Sequence, residues 1–461
     1  MLPTRTAPGR SGAGAAAAHR LDLAVVAAVV AFVVIAGVVG RLLTNRGVLI
    51  HAGAAPLQGR WEIHAGVGSL LAPAVGLGVV VAARSWVHQA RWPTVLGASV
   101  AETIAWIGSL ALVDGWGRGF ADRLTRPDEY LSELPRISGL SGFLRTFNDS
   151  VPIDSVDPWT THVSSHPPAA LAPFWLLDRI GLSGGSWAAA LCILVGASAV
   201  AAALITVRSL GDESMARNLA PFLVLSPAAI WVGVSADALF LGVSAWGVAL
   251  LAVACHRRTS VWSDVAAAGG GFLLATGLYL SYGLALSLVV AAGILVFFGT
   301  VRLGLWVTAG ALLVITGFTV AGFNWLDGSH LVVDRYYAGW GGQRPYTYWV
   351  WADLAAFAVA IGPAAVVGME RLIRGTVGSQ EPRWWQGANR VVVVLVASAL
   401  VAVIVATLGG LSKGEVERIW LPFSLWATVA CTALPAPRVQ AWLITQALLG
   451  LLIQHVVLTT W

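Results

Sequence analysis

Apolar runs of about 17–25 residues, each long enough to cross a bilayer as a helix, alternate with short polar segments along almost the whole chain. Read as spans, they fall at 22–42, 66–84, 93–113, 186–207, 216–233, 238–255, 262–279, 283–300, 303–323, 348–368, 391–409, 419–435 and 437–457. One segment breaks the rhythm. Residues 115–184 form a long polar connection, opened by Asp114-Gly115 and closed by Thr161-His162-Val163-Ser164-Ser165-His166-Pro167-Pro168. Beyond Pro168, Leu171, Phe174, Trp175 and Ile180 recur at helical spacing around Asp178-Arg179, which predicts an amphipathic helix lying on the membrane. The pattern thus predicts an all-α polytopic membrane protein: a bundle of about 11–13 transmembrane helices with a long external loop carrying short surface helices. Residues 1–21, with Arg5, Arg10 and Arg20, read as a disordered basic tail, and 22–461 as a single transmembrane domain. The first run has no small-residue cleavage pattern after it, so it reads as a retained span.

Composition agrees with the pattern. Hydrophobic residues make up 57% of the chain and charged residues 11%, with mean hydropathy +0.77. An ordinary soluble domain carries roughly 25% charged residues and is excluded. Cys192, Cys255 and Cys431 all lie in or beside apolar runs, so they imply neither a disulfide framework nor a thiolate metal site.

Charge sets the orientation. With the N-terminus inside, the inner segments hold Arg84, Arg91, Arg208, Arg217, Arg257, Arg258, Arg302, Arg371, Arg374, Arg383, Arg390 and Arg438, besides the tail arginines. The short outer loops hold fewer basic residues and the 115–184 loop falls outside; 14 of the 23 acids lie in the outer loops taken together. The net charge of +5 comes mainly from inner arginines facing lipid headgroups, so nucleic acid is not implied. Many of the 22 tryptophans, such as Trp116, Trp231 and Trp349, mark span ends as an interfacial belt does.

The outer loops hold the candidate chemistry. Asp114 is either a carboxylate poised above the membrane or the cap of its span. Asp128 and Glu129 diverge by about 100° on a helix, so they suit either separate roles or the acidic first turn of a surface helix. His162 and His166 are four apart, but Pro167 holds His166 extended, which disfavours a helical zinc pair; His166 is a ligand-binding residue or a hinge. A second cluster runs through Asn324, Asp327, His330, Asp334-Arg335-Tyr336-Tyr337 and Arg344, suited to phosphate and sugar or to snorkelling at the interface. A third is Lys413-Gly414-Glu415-Val416-Glu417-Arg418, where Glu415 and Arg418 can face one cavity. Asp237 sits at an outer turn, and Glu102 and Asp353 are the acids placed nearest the midplane.

Asp114 after a span, Asp128-Glu129-Tyr130 in the long loop and His166-Pro167-Pro168 before a surface helix together resemble the external loop of GT-C superfamily glycosyltransferases. The turns Ser226-Pro227, Ser235-Ala236-Asp237 and Ser281-Tyr282-Gly283 are similar to features of those enzymes, and Gly414 to Phe423 resembles actinobacterial members. The resemblance covers about residues 93–435 on short motifs, with two extra spans ahead of the matching one. It implies transfer of a hexose or pentose from a polyprenyl-phosphate donor to a cell-envelope glycan or lipid, on the external face of the plasma membrane, with the N-terminus cytoplasmic. It implies Asp114 as base, with Glu129 or Asp128 as substitute. Arg335 and Arg418 would contact phosphate, and His166 phosphate or acceptor. His162, Asp237, His330, Tyr336, Tyr337, Arg344 and Glu415 complete the expected substrate site. A divalent cation, magnesium or manganese, is the alternative to arginine at the departing phosphate, with its ligands unassigned. The competing reading is a polytopic transporter or lipid-sugar flippase, which requires a polar site near the midplane.

Overall fold

The computed structural model describes residues 9–257, 259–377 and 389–460. Arg5, Arg258 and Arg383, placed above on the inner side, lie outside the described residues. The protein is an all-α polytopic membrane protein: among the described residues nine helices are long and apolar enough to cross a membrane, and three shorter apolar helices accompany them. Short turns aside, the helices in order are α1 (Gly9–Asn45), α2 (Gly68–Ala82), α3 (Trp92–Ala111), the surface helix α4 (Ala172–Arg179), α5 (Gly185–Leu210), α6 (Glu213–Val224), α7 (Ala236–Arg257) and α8 (Val261–Leu280). They continue as α9 (Ser287–Phe298), α10 (Val301–Val320), α11 (Trp325–Ala338), α12 (Tyr346–Val377), α13 (Asn389–Gly409), α14 (Val416–Ile419), α15 (Leu421–Ala427) and α16 (Val439–Val456). Residues 9–21, expected as a disordered tail, are the first turns of α1.

Two expected spans are broken. The 216–233 run becomes α6 and a separate helical turn at Ala229–Val232, because Ser226-Pro227 removes a backbone donor and the helix stops before it. The 419–435 run becomes α14, α15 and a 3-10 stretch over Thr428–Ala433. Elsewhere small residues let helices touch backbone to backbone. A Cβ at Gly271 of α8 would lie 1.9 Å from the Val307 carbonyl of α10, and one at Gly310 would lie 1.9 Å from that of Ala268. Such contact is the usual packing mode where lipid offers no hydrophobic drive between helices.

One short sheet closes the fold. Strand β1 (Gly59–Trp61) pairs antiparallel with β2 (Val457–Thr459), which follows the last helix. Arg118, Arg123 and Arg126 donate to the carbonyls of Thr459 and Thr460, so the 112–184 loop sits over that pairing. The 321–345 and 410–415 connections reach the same face. Arg335 Nη2 donates to Trp159 O at 3.0 Å, and Arg344 Nη1 donates to Lys413 O at 2.7 Å. We call this the loop face. On the opposite face Arg371 of α12 grips Asp22 of α1 through two bonds, at 3.0 and 2.6 Å.

Within α12, Gly362 has φ +77° and Pro363 cannot donate, so the helix kinks and frees backbone groups inside the bundle. Gln446 of α16 answers both: its amide donates to Ile361 O at 2.9 Å and accepts from Ala364 N at 3.2 Å. Gln446→Leu leaves both groups buried without partners, at about 1–3 kcal/mol each. It should lower the unfolding temperature in detergent, whereas Gln446→Glu, which keeps the acceptor, should lose less.

Candidate functional site

The loop face carries two polar assemblies, one structural in form and one open to chemistry. Asp114 belongs to the first. Its side chain is wholly enclosed, and both of its oxygens accept hydrogen bonds. Oδ1 accepts from His64 Nε2 at 2.8 Å and Gln454 Nε2 at 2.9 Å. Oδ2 accepts from Arg123 Nη2 at 2.8 Å, with Arg118 Nε at 3.5 Å. Arg123 is itself buried; burial draws its pKa down to about 10 against the pull of Asp114. Asp114 is thus the anionic centre of a clamp joining the long loop, the β1 segment and α16.

The second assembly is built from three elements. The loop gives Asp128, Glu129, Tyr130, His162 and His166; the first turn of α7 gives Asp237; and α14 with the residue that precedes it gives Arg418 and Glu415. His162 Nδ1 donates to Asp128 O at 2.7 Å and lies 3.6 Å from Glu129 Oε1. His166 Nδ1 lies 2.7 Å from His162 O and 3.0 Å from Tyr130 Oη. A carbonyl only accepts, so Nδ1 of His166 carries the proton and Nε2 keeps its lone pair. The short helical turn Thr161–Ser164 and the prolines after His166 fix this geometry. Arg418 Nη1 donates to Asp237 Oδ2 at 2.6 Å, and its Nη2 to Glu415 Oε2 at 3.2 Å. Glu415 in turn accepts from Arg344 Nη2 at 2.9 Å.

Burial governs the titration of this cluster. It raises the Glu129 carboxyl above the ordinary value, against His162 and Arg418. It raises the Tyr130 phenol and lowers His166 to about 4, so that ring stays neutral. Burial also opposes the Glu415 charge, but Arg344 and Arg418 overcome it and hold the carboxyl below its usual value. Arg418 is likewise penalised by burial, yet Asp237 and Glu415 hold it ionised. The charges of Arg418 and Asp237 reach Glu129, and that of His162 reaches Glu415, so the halves form one electrostatic unit.

The other expected residues sit around it. Arg344 is buried and spent on Glu415 and the Lys413 carbonyl. Tyr336 Oη accepts from Lys413 N at 2.9 Å, and the Lys413 ammonium lies over the rings of Tyr336 and Tyr337 at 5.6 and 5.0 Å. Arg335 bonds Trp159 O, while its Nη1 is buried without a partner; burial lowers its pKa. His330 is exposed on α11, away from these bonds. Sequence reasoning quoted Tyr130 and Lys413 within motifs but gave them no role, and it did not single out His64 or Gln454. Tyr130 adjoins the acid pair it works beside, but His64 and Gln454 carry no local signal. Among the described residues no three His, Cys, Asp or Glu side chains group to hold a metal. The described part of the cluster therefore offers no ready cage for magnesium or manganese.

No family model matches the chain, and no curated protein matches it. Among solved structures it is similar to an oligosaccharyltransferase of Archaeoglobus fulgidus tethered with an acceptor peptide containing the NVT sequon. That likeness has a TM-score of 0.49 at 12% identity, over 81% of this chain and 56% of that one. The same enzyme in complex with Zn and sulfate gives a TM-score of 0.46 at 13% identity, over 79% and 53%. The chain spans little more than half the length of those chains.

Two outcomes follow from the geometry. Asp114→Asn leaves Arg123 buried beside a neutral amide, a loss of about 3–5 kcal/mol for a broken buried pair. It should lower the unfolding temperature and open the 112–126 segment to protease. His166 has its pKa lowered on folding, so its contribution to stability is intact above the ordinary value of 6.5 and is lost as pH falls through about 4. His166→Asn should flatten that acid limb in a detergent melting series.

Proposed function

We propose that the protein is a glycosyltransferase of GT-C type. It transfers a sugar, a hexose or pentose, from a polyprenyl-phosphate donor to a hydroxyl of a cell-envelope glycan or lipid. On this reading the loop face is the external face of the plasma membrane and the N-terminus is cytoplasmic. The observation that carries the reading is the division of charge on that face: a buried, acid-rich cluster around Glu129, accompanied by Arg335 in the last turn of α11 and Lys413 in the 410–415 connection, two cations with no acid within ion-pair distance among the described residues.

Glu129 is the base. Its carboxyl is buried and raised, and its ion-pair partner among the described residues is His162 at 3.6 Å. A carboxylate so placed can take the proton of an acceptor hydroxyl, a contribution of about 10²–10⁴ in rate. Asp114 is instead enclosed and held by His64, Gln454 and Arg123, with Arg118 at 3.5 Å, so it suits anchoring the loop better than that step. Asp128 stays half-exposed beside Arg126 and suits sugar binding. His166 Nε2 and the Asp237–Arg418–Glu415 set present acceptors and donors to sugar hydroxyls.

Phosphate goes to Arg335 and Lys413. Arg418 and Arg344 are each engaged by acids, whereas no acid within ion-pair distance of Arg335 or Lys413 occurs among the described residues. Both lose hydration to burial, which an anion would restore. The transporter reading needs a polar route through the centre. A cavity of about 40 Å³ among the helices is instead mainly apolar, lined by Ile107, Val200, Leu223, Leu241, Leu421 and Leu425, with Thr103, Ser226 and Thr428.

The test is transfer by purified protein from a radiolabelled polyprenyl-phosphate sugar, with cell-envelope lipid extract as acceptor. Glu129→Gln should lose about 10²-fold or more in kcat while binding donor normally. Arg335→Ala and Lys413→Ala should raise the donor KM with a smaller effect on kcat. Normal turnover by Glu129→Gln would remove Glu129 from the role of base, and donor transport without transfer would remove the enzyme reading.

A further inference from the structure

Beneath the Glu415–Arg418 turn lies an acid that the proposed chemistry does not use. Glu417 is wholly buried. Its Oε1 accepts the backbone N–H of Gln58, in the segment before β1, at 2.6 Å. Its Oε2 is buried with no hydrogen-bond partner, and so is the side-chain Oε1 of Gln58. Both orphans accept; neither can satisfy the other without a hydrogen between them. A buried unpaired carboxylate is costly enough that such groups usually take up a proton.

Among the described residues no cation lies within ion-pair distance of Glu417 to take the proton's place. From α12, Asp353 faces this region, 2% exposed and accepting Gly414 N at 2.9 Å; its charge and that of Glu417 repel. Arg344 reaches Asp353 but is bonded to Glu415. On the turn itself Glu415 repels Glu417, while Arg418 attracts it but is held by Asp237 and Glu415. The helical turn Ala229–Val232 and α15, which also pack here, contain no ionisable side chain. Burial foremost, opposed by the Gln58 N–H, raises the Glu417 pKa to about 7.

We infer that Glu417 is a positioning residue that works in its protonated form, latching the segment around Gln58 to the turn that aims Arg418 and Glu415 into the site. The neutral acid can donate from Oε2 while Oε1 keeps the Gln58 N–H. Ionised Glu417 adds a buried negative charge beside Glu415 and Asp353, and the turn relaxes away from Asp237. The site thereby has a built-in upper pH limit. Its effect on transfer rests on the proposed function; its effect on stability does not.

The sign follows from the raised pKa. Stability is fully present below the ordinary value of 4.5 and is lost as pH rises through about 7. Wild-type protein in detergent should therefore melt at falling temperature between about pH 4.5 and about pH 7, and level off above that. Glu417→Gln, which keeps the acceptor and offers a fixed donor, should be flat there. In the transfer assay the wild-type donor KM should rise by up to about tenfold per pH unit above about 7, and that of Glu417→Gln should not. A Glu417→Gln profile that tracks wild type overturns the inference, as does a melting temperature that follows sodium concentration instead of pH. Should Glu417→Gln not fold, infrared titration of the Glu129→Gln protein decides: a buried protonated-carboxyl band must disappear near pH 7, and its absence overturns the latch. A flattened melting profile with no transfer by any form would sink the proposed function and leave the latch standing.

Discussion

The loop face depends on the burial of one positive charge. Arg418 is 4% exposed, and a guanidinium taken that far from water is tolerated only when acids and hydrogen bonds surround it. Asp237 and Glu415 meet that demand from two directions, and each is fixed by something else: Asp237 by the first turn of α7, Glu415 by Arg344. Arg344 reaches onward to the Lys413 and His51 carbonyls. One buried cation thus dictates where α7, the start of α12 and the 410–418 turn can stand relative to one another. Pairing of this kind adds little net stability over apolar packing but disfavours other arrangements, which suits a site that must hold several loops in register.

Lipid explains why so much of the topology could be read from the sequence. A span must satisfy its backbone internally and present apolar side chains throughout, so the run 186–207 announces α5, and 238–255 announces α7, almost to the residue. The rule weakens where a segment is enclosed by protein. The 216–233 and 419–435 runs are apolar enough to be spans, yet both are broken, because backbone freed at Ser226-Pro227 or after α15 lies against neighbouring helices and not against lipid.

The cluster was legible in its parts and not in its arrangement. Asp128, Glu129, His162, His166, Asp237, Glu415 and Arg418 each drew attention as polar groups close to a membrane, and the structure draws them together. Asp114 drew it for the same reason and sits elsewhere. What separates it from Glu129 is its set of partners, His64 and Gln454, which stand 50 and 340 residues away along the chain. No local pattern encodes a contact of that kind. Burial is equally invisible: Glu129 and Asp128 are neighbours in sequence, but the first is enclosed and the second half-exposed.

The pairing of β1 with β2 bears on biogenesis. Arg60 stands opposite Leu458, so the strand that anchors the long loop emerges from the ribosome only after every helix from α2 to α16. Until then the Asp114 carboxylate lacks Gln454, and Arg118, Arg123 and Arg126 lack the carbonyls they hold. Contacts so distant along the chain form late, since loop closure must precede their reward. The loop bearing Glu129 therefore remains unclamped until α16 and β2 have been made and β2 has paired with β1.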